Sequence, residues 1–595
     1  MSQVAIVEPE LGTLPEWDLS DLYSGREAAD FTKDFRQLAD DVLGFKERYE
    51  GRVGGLGAST LGVAIAQYEA IEECLGRISS YAQLLYATDM TDAAVSQFFQ
   101  NTRERLNDIS ADLLFFTLEL NRIDEVHIEQ LLADPDVARY AAWIRSVRLF
   151  RDYQLSGDLE RLLHDKDVSC RGSWVRLFDE TSAALRFDIN GKQLTSQEAL
   201  HLLSDKDEAV RRGASEEISR VFRDNVRLFA LITNTLAKDK EIEDRWRGYQ
   251  ASNSARHLSN QVEPEVIEAL TSAVRDAYPR LSHRYYRLKA DWLGKEKLAH
   301  WDRSAPLPDD DDRIIVWDRA VDTVLGAYRA FSQELADIGG LFFDNDWIDA
   351  PVRPGKASGA FAHPTVPGVH PYLLINYQGK SRDVATLAHE LGHGVHQVLA
   401  APQGVLLADT PLTLAETASV FGEQLTFRAM LDTEDDAQLR RVMLAGKVED
   451  MINTVVRQIA FYEFELRLHD ERRSGELSAE RIGEIWLNVQ GESLGPTFTF
   501  DEGYSNYWSY IPHFVHSPFY VYAYAFGDCL VNSLYAVYLD GAPDFEAKYL
   551  EMLRAGGTMR HRELLAPFGL DASAPDFWAR GLDVIAGFID EIEDA

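Results

Sequence analysis

The chain has 595 residues, of which 46% are apolar, so it can fold around a large core and form two or more lobes. Its 60 lysines and arginines stand against 97 aspartates and glutamates, which gives a formal net charge of −37. This charge argues against nucleic acids and anionic membranes as partners, because both are themselves negatively charged.

The cysteines and the N-terminus bear on the cellular compartment. Cys74, Cys170 and Cys529 are scattered and odd in number, which is not the pattern of a disulfide framework. Residues 1–10 lack the basic start and long apolar core of a signal peptide, and no apolar run is long enough to span a bilayer. We therefore expect a cytoplasmic protein without disulfides.

Most of the chain has the apolar spacing of helices. Apolar residues recur at intervals of three and four over long stretches, which predicts helices at 26–49, 62–87, 93–121, 204–246 and 264–292. Between them, residues 185–194 form a predicted hairpin with an Asn190-Gly191 turn. Thr195 and Glu198 form a predicted capping box for the next helix. We place a domain boundary here, between an N-terminal helical lobe at 1–195 and a second domain at 196–595.

A predicted strand and helix carry the most informative motif of the chain. Residues 371–377 are rich in aromatic and branched side chains and are followed by Gly379, which predicts a strand and a tight turn. Residues 381–397 have helical apolar spacing and a plausible helix start at Ser381. Within this helix lies His389-Glu390-Leu391-Gly392-His393, an H-E-x-x-H sequence.

On a helix, His389 and His393 lie one turn apart on the same face, where both imidazoles can reach one Zn²⁺. Glu390 lies one step around the helix and can contact a water at that metal, which indicates peptide-bond hydrolysis. The alternative for these five residues alone is a surface helix with two solvated histidines. The neighbouring strand favours the metal site, because a strand edge can pair with an extended peptide.

A catalytic zinc needs a third protein ligand. The pattern with a third histidine six residues after the second fails, because residue 399 is Leu. Glu416 is the first suitable carboxylate on a following helix, although Thr413 and Glu416 could also form a capping pattern. Glu423 could hold a ligand imidazole, but a solvated or salt-bridged glutamate is the favoured interpretation there. His396 is not predicted to be a ligand.

An aromatic segment near the C-terminus, 508–527, contains two histidines, His513 and His516, and several tyrosines. Amide hydrolysis builds negative charge on the carbonyl oxygen, and a tyrosine hydroxyl or imidazole N–H aimed at that oxygen lowers the barrier. Tyr520 and Tyr524 also have the spacing of a helix core, so for any single tyrosine the two interpretations stay open.

These motifs together resemble the oligoendopeptidase F branch of the thimet-type (M3) zinc metallopeptidases. The resemblance covers nearly the whole chain, and its most specific parts are the H-E-x-x-H helix and the stretch from Glu416 to Phe421. Further similar segments are 17–23, 81–84, 89–91, 205–212, 301–307, 358–361, 371–377, 511–514 and 518–522.

The resemblance implies a set of functional residues. His389, His393 and Glu416 would bind one Zn²⁺ per chain, and Glu390 would be the general base. His513 and Tyr522 would be transition-state donors.

Tyr520 would lie nearby, against the substrate. The aromatic run permits more than one register, so Tyr520, Tyr522 and Tyr524 all remain candidates for the contact with the oxyanion.

The fold class expected from this resemblance is mostly α-helical. Two helical lobes would surround a deep channel, with a small β-sheet beside the zinc-binding helix as a zincin-like core. The implied function is a zinc endopeptidase that cleaves internal bonds of short peptides, with no nucleic-acid or membrane partner. Two alternatives are an exopeptidase of the dipeptidyl carboxypeptidase type and a peptide-binding scaffold with an inactive zinc site. Cleavage preference and oligomeric state stay open.

Overall fold

Helices form most of the backbone in the computed structural model, which describes residues 11–167, 169–307 and 313–594. The chain divides into two units, each assembled from three chain segments. Unit 1 comprises Met1–Arg151, Asp312–Thr433 and Gly541–Gly569, and unit 2 comprises Asp152–Asp311, Glu434–Asp540 and Leu570–Ala595. The boundary near residue 195 falls within unit 2 and stays a prediction. Residues 1–10, on which the expected lack of a signal peptide depends, lie outside the described residues.

Unit 1 contains the N-terminal helices and the H-E-x-x-H helix. Its helices are Ala29–Tyr49, Ala58–Thr88, Ala93–Ala111, Leu114–Arg122, Glu125–Leu132, Pro135–Ala138, Ala141–Arg148, Trp317–Phe331, Gln333–Asp344, Ser381–Ala400, Val405–Ala408, Leu412–Ala415, Ser419–Asp432, Phe545–Arg554 and His561–Leu565. The predicted helix at 93–121 is two helices, because the chain turns at residues 112–113.

Unit 2 contains the longest helix and the aromatic segment. Its helices are Gly157–Asp167, Arg171–Ala184, Ser196–His201, Glu208–Arg247, Ser254–Ser259, Pro264–Ala277, Ser282–Trp292, Ala437–Thr454, Val456–Ser474, Ala479–Leu494, His513–His516, Tyr522–Leu539 and Pro575–Asp594. The predicted helix at 264–292 is interrupted at Tyr278–Arg280, where Pro279 cannot donate a backbone hydrogen bond.

Short strands complete unit 2. Phe187–Ile189 pairs antiparallel with Lys192–Leu194 across the predicted Asn190-Gly191 turn, whose φ angles of 56° and 75° suit a type I′ hairpin. Thr195 and Glu198 form the predicted capping box, which starts the helix Ser196–His201. A second pair, Leu298–Ala299 with Phe498–Thr499, is parallel.

Unit 1 holds a three-stranded sheet beside the H-E-x-x-H helix, as predicted. Tyr372–Leu374 is the central strand, parallel to Ile348–Asp349 and antiparallel to Phe361–His363. Phe361–His363, called the edge strand from here on, is therefore paired on one side only within this sheet. Tyr372 and Leu374 are buried in the same core as the N-terminal helices, so the sheet is anchored to most of unit 1.

The helix Ser381–Ala400, called the metal helix from here on, begins where the sequence predicts. The Asp383 carboxylate accepts the backbone N–H groups of Gln378 and Lys380, which satisfies donors at the helix start. Its apolar face is fully buried, and includes Leu387, Leu391 and Val395. Burial of this stripe fixes the rotation of the helix and so the direction of its polar residues.

Two further observations concern membrane-spanning helices and the cysteines. No helix among the described residues has both the length and the apolarity needed to cross a bilayer. Cys74, Cys170 and Cys529 are free thiols in this structure.

Gly392 of the metal helix lies at a point where unit 1 is closely packed. A Cβ at this position would lie 2.5 Å from the carbonyl oxygen of Ala418 and 2.6 Å from Cα of Ser419, which are backbone atoms that cannot move aside cheaply. We expect Gly392→Ala to destabilise the protein by about 1–3 kcal/mol through overpacking, measured as a lower thermal or urea midpoint.

Gly446 is the matched control, because it also lies inside a helix but a Cβ added there would meet no neighbouring atom within 4 Å. Gly446→Ala should be neutral or stabilise by up to about 1 kcal/mol, since alanine has the higher helix propensity. Equal midpoints for the two variants would contradict the close approach at Gly392.

Candidate metal centre and active site

Three side chains of unit 1 converge on one point, as predicted. His389 and His393 lie one turn apart on the metal helix, and their rings are 4.9 Å apart between centroids. Glu416 Oε2 lies 3.4 Å from His389 Nε2 and 3.6 Å from His393 Nε2. One ligand atom from each of these residues lies within 4.8 Å of the others, and this is the only such group among the described residues.

The donor set fits zinc. Two atoms that each lie about 2.0–2.1 Å from a tetrahedral ion are about 3.4 Å apart, close to the observed separations between Glu416 and the imidazoles. Two imidazoles and one carboxylate are also the ligands of a common type of catalytic zinc site, which leaves a fourth position open for water or substrate. The residues present can therefore hold this metal.

Glu416 occupies a turn. The alternative interpretation, in which Thr413 and Glu416 cap the start of a helix, is therefore wrong. The short helix Leu412–Ala415 ends just before it, and its N-terminal capping position is Pro411. The Ser419 hydroxyl donates to Glu416 Oε2 at 2.8 Å and orients the carboxylate. The absence of a side chain at Gly392 allows the backbone at 418–419 to approach the metal helix closely enough for this arrangement.

Glu423 contacts a ligand candidate, which agrees with the less favoured of the two interpretations, that it could hold a ligand imidazole. Its Oε2 lies 3.2 Å from His389 Nδ1, on the side of the ring away from Glu416. Glu423 lies on the helix Ser419–Asp432, which begins after the turn at 416–418. A carboxylate behind a metal-binding imidazole fixes the ring and its tautomer.

The two imidazoles differ in their electrostatics. Burial lowers the pKa of His389, but the hydrogen bond to Glu423 and the charges of Glu416 and Glu423 outweigh it and raise that pKa to about 9. Burial lowers the pKa of His393 to about 4, although Glu416 and a hydrogen bond to the backbone of Ala415 act in the opposite direction. The carboxylates around His389 thus favour positive charge at this place, which suits the binding of a cation.

Glu390 lies beside the ligand group and is linked to the edge strand. The backbone N–H of Ala362 faces its carboxylate and makes a small contribution that lowers its pKa. Glu390 is only 8% exposed, and this burial raises its pKa to about 7, assisted by the charge of Glu416 and opposed by that of His389. A carboxylate with a pKa near neutrality is suited to accept a proton and release it again.

The direction of the Ala362 backbone follows from the sheet register. Ala362 is opposite Leu373, whose N–H bonds to Trp347 on the other side of the central strand. In an antiparallel pair, the backbone N–H and C=O groups of two opposite residues either face each other or both face away from the partner strand. Those of Leu373 face away from the edge strand, so those of Ala362 point out of the sheet. Ala362 faces Glu390 through its backbone, and any residue type could do the same. The sequence alone therefore could not identify Ala362 as part of the site.

His396 does not join the ligand group, as predicted. It is 6% exposed, and burial lowers its pKa to about 4. Its Nε2 is a buried atom without a hydrogen-bond partner among the described residues.

The aromatic segment belongs to unit 2 and brings three of its predicted residues together. His513 Nε2 lies 3.3 Å from the Tyr524 hydroxyl. The Tyr520 ring lies 6.1 Å from that of His513 and 5.3 Å from that of Tyr524, between centroids. Burial lowers the pKa of His513, with smaller contributions from the charges of His516 and Arg457.

Tyr522 lies apart from this group. Its side chain is fully buried, and its hydroxyl accepts a hydrogen bond from Asn260 Nδ2 at 2.9 Å and lies 3.0 Å from His257 Nδ1. Tyr520 lies just before the helix Tyr522–Leu539, and its ring contacts that of Tyr524, whereas Tyr522 points toward His257 and Asn260.

Comparison with known proteins places the chain among peptidases. The model of "Peptidase family M3" matches residues 331–584, and that of "Oligopeptidase F" matches residues 119–187. The first match includes the three ligand candidates, Glu390 and the aromatic segment.

Full-length relatives carry related names. Oligopeptidase PepF of Bacillus subtilis is 25% identical over 592 residues, which cover 97% of this chain and 87% of the relative. An oligoendopeptidase F homolog of Borreliella burgdorferi is 27% identical over 569 residues, which cover 94% and 95% of the two chains.

Solved structures share the fold. A crystal structure from Chlamydophila abortus has a TM-score of 0.85 at 22% identity and covers 99% of both chains. Oligoendopeptidase F from Enterococcus faecium has a TM-score of 0.72 at 22% identity, over 95% of this chain and 98% of that one. These comparisons show that the chain belongs to peptidase family M3, in its oligoendopeptidase F branch, and is a metallopeptidase that acts on oligopeptides.

Proposed function

We propose that the protein is a zinc-dependent endopeptidase that cleaves internal bonds of short peptides, with one Zn²⁺ per chain held by His389, His393 and Glu416. The observation that carries this proposal is the convergence of these three ligand atoms within 4.8 Å, with the Glu390 carboxylate beside them. A zinc ion bound there would polarise the scissile carbonyl and lower the pKa of a water molecule.

Glu390 is the proposed general base. Its carboxylate takes a proton from the attacking water and passes it to the amine that leaves. The N–H of Ala362 holds the carboxylate toward the edge strand, so the base is positioned before substrate arrives. Burial keeps its pKa close to neutrality, which suits both the uptake and the release of the proton.

The substrate peptide is proposed to bind in an extended conformation along the edge strand. Ala362 directs its backbone away from the sheet, so its carbonyl oxygen is placed to accept an N–H from an extended substrate. Pairing of this kind depends on backbone groups alone and therefore tolerates many side chains. It also draws the peptide backbone past Glu390.

His513 and a tyrosine of the aromatic segment are the proposed donors to the carbonyl oxygen in the transition state. The family resemblance names Tyr522, with Tyr520 against the substrate. The contacts within unit 2 support Tyr524 as the donor instead, because its hydroxyl lies against His513 whereas that of Tyr522 is held in a buried network. Tyr520 packs beside His513 and remains the proposed substrate contact.

An exopeptidase of the dipeptidyl carboxypeptidase type is the remaining alternative. Digestion of a peptide library, followed by mass spectrometry, separates the two activities. Internal cuts are expected, and release of dipeptides from one end alone would favour the alternative. A chelator should abolish the cuts, and added Zn²⁺ should restore them.

Replacement of Glu390 tests the general base. Glu390→Gln keeps an oxygen that can accept the Ala362 N–H but cannot take up a proton. We expect kcat to fall by about 10²–10⁴-fold, while zinc content measured by elemental analysis stays unchanged. Undiminished peptide cleavage by this variant would overturn the assignment.

Glu416→Ala tests the third ligand. The variant should lose zinc and activity together, because two imidazoles alone bind the ion weakly. Glu423→Ala is the control, since it removes a carboxylate from the same centre but not a ligand. It should lower zinc affinity by about 10–100-fold and remain active when zinc is added in excess. Unchanged zinc content in Glu416→Ala would mean that another residue is the ligand.

Paired tyrosine variants test the oxyanion donor. We expect Tyr524→Phe to lower kcat by about 10²–10³-fold, with a small change in KM, because the hydroxyl acts mainly in the transition state. Tyr522→Phe should keep kcat near that of the wild type and destabilise the fold by about 1–3 kcal/mol, since His257 and Asn260 lose a buried partner. The opposite pattern in kcat would restore the assignment of Tyr522.

A further inference from the structure

Two arginines of unit 2, Arg303 and Arg457, donate side-chain hydrogen bonds to neutral partners and not to carboxylates. Arg303 Nη1 donates to Asn453 Oδ1 at 3.1 Å, and Arg457 Nη2 donates to the Tyr510 hydroxyl at 3.1 Å. Neither guanidinium forms an ion pair with a carboxylate in the described part of unit 2. Asn453 and Arg457 are four residues apart, at the junction of the helices Ala437–Thr454 and Val456–Ser474, so the two arginines are neighbours.

The acidic residues around this pair are already bound to other cations. Glu449 Oε1 accepts hydrogen bonds from Lys289 Nζ at 2.5 Å and from the Tyr285 hydroxyl at 2.7 Å. Lys289 thus offsets the charge of Glu449.

Asp302 precedes Arg303 in the chain but is bound elsewhere. Its two carboxylate oxygens accept hydrogen bonds from Arg211 Nη2 at 2.8 Å and from Lys295 Nζ at 2.7 Å. No carboxylate therefore forms a hydrogen bond with Arg303 or Arg457 in the described part of the chain, although the charge of Glu449 acts on Arg303 from a greater distance.

The pair is held in place and still reaches solvent. The Arg457 guanidinium lies 4.9 Å from the centre of the Phe461 ring, and this cation–π contact helps to hold the guanidinium in position. Both side chains are partly exposed. Among the described residues, none of their nitrogen atoms is buried without a partner, so the N–H groups not used by Asn453 and Tyr510 face solvent.

Like charges at short range repel. Burial, together with the charge of Arg303, lowers the pKa of Arg457 from its usual value. Burial also acts to lower the pKa of Arg303, but nearby tyrosines and Glu449 outweigh it and raise that pKa. Tyr510, the partner of Arg457, lies three residues before His513 in the chain, so the pair contacts the segment that carries the proposed transition-state donor. An anion bound between the guanidiniums would remove the repulsion and gain charge-assisted hydrogen bonds.

We propose that Arg303 and Arg457 form a binding subsite for a carboxylate of the peptide substrate. The fork of N–H groups on a guanidinium matches the two oxygens of a carboxylate, and an adjacent second guanidinium can bind the same group. The relevance of this subsite to cleavage rests on the proposed function, through the role of His513. Its affinity for carboxylates does not depend on that role.

The charge of the subsite is positive, opposite in sign to the net charge of the chain. A net charge of −37 repels acidic peptides over long distances, so a local pair of cations would select carboxylates at one position of the substrate only. That carboxylate is either the free C-terminus of the peptide or an Asp or Glu side chain.

Matched peptides distinguish these sources. One short sequence is prepared as a C-terminal acid with an internal Gln, as a C-terminal amide with the same Gln, and as a C-terminal amide with Glu in place of Gln. We expect one of the two carboxylate peptides to have a kcat/KM about 10–100-fold above that of the uncharged amide, the range of a charge-assisted hydrogen bond. Equal values for all three peptides overturn the proposal.

Variants connect the preference to the pair. Arg303→Gln and Arg457→Lys should both bring the ratio of carboxylate to amide peptide toward one, with the change mainly in KM. Arg457→Lys retains the charge and the fold but loses the guanidinium fork. Arg212→Gln is the control, because it removes an exposed cation of the same unit that pairs only with Glu216. It should keep the wild-type ratio, whereas an equal loss for both peptides in the Arg303 and Arg457 variants overturns the subsite.

Binding in an inactive background separates this proposal from the proposed function. The dissociation constants of the acid and amide peptides are measured with the Glu390→Gln enzyme by calorimetry. Tighter binding of a carboxylate peptide, lost on adding Arg303→Gln, supports the subsite even if Glu390 proves not to be the base. Equal binding of all peptides overturns it even if Glu390→Gln abolishes cleavage.

Discussion

The close approach of two backbone segments at Gly392 is the constraint on which the metal centre depends. The metal helix supplies both imidazoles, but the third ligand comes from a turn that can approach only where the helix has no side chain. A buried apolar stripe fixes the rotation of the helix, and the Ser419 hydroxyl fixes the carboxylate of Glu416. A site of three ligands is thus built from local helix geometry and one tight interhelical contact.

The centre concentrates negative charge in a buried place. Glu416 and Glu423 contact opposite sides of the His389 ring and raise its pKa, while burial raises that of Glu390. Such a group of carboxylates is costly without a cation, because each charge is removed from water. Desolvation also brings the pKa of Glu390 close to neutrality, so the proposed metal binding and the proposed proton transfer would have a common physical cause.

Unit 2 uses buried side chains to hold polar groups in fixed directions. Tyr522 is tied to His257 and Asn260, which anchors the start of the helix that carries Tyr524. Near the same segment, Arg457 is supported by an aromatic ring and lacks a carboxylate partner among the described residues. Positive charge is therefore retained in the fold of an acidic chain, beside residues with a proposed role in catalysis.

The sequence by itself determined the helical class, the helix that carries the H-E-x-x-H motif, and the identity of the three ligand candidates. These depend on periodicity and spacing, which are local properties of the chain. Only the tertiary structure decided that Glu423 contacts His389, that Tyr524 and not Tyr522 lies against His513, and that the backbone of Ala362 holds Glu390. Chain breaks and backbone contacts between distant segments produce these arrangements, and neither leaves a periodic signal in the sequence.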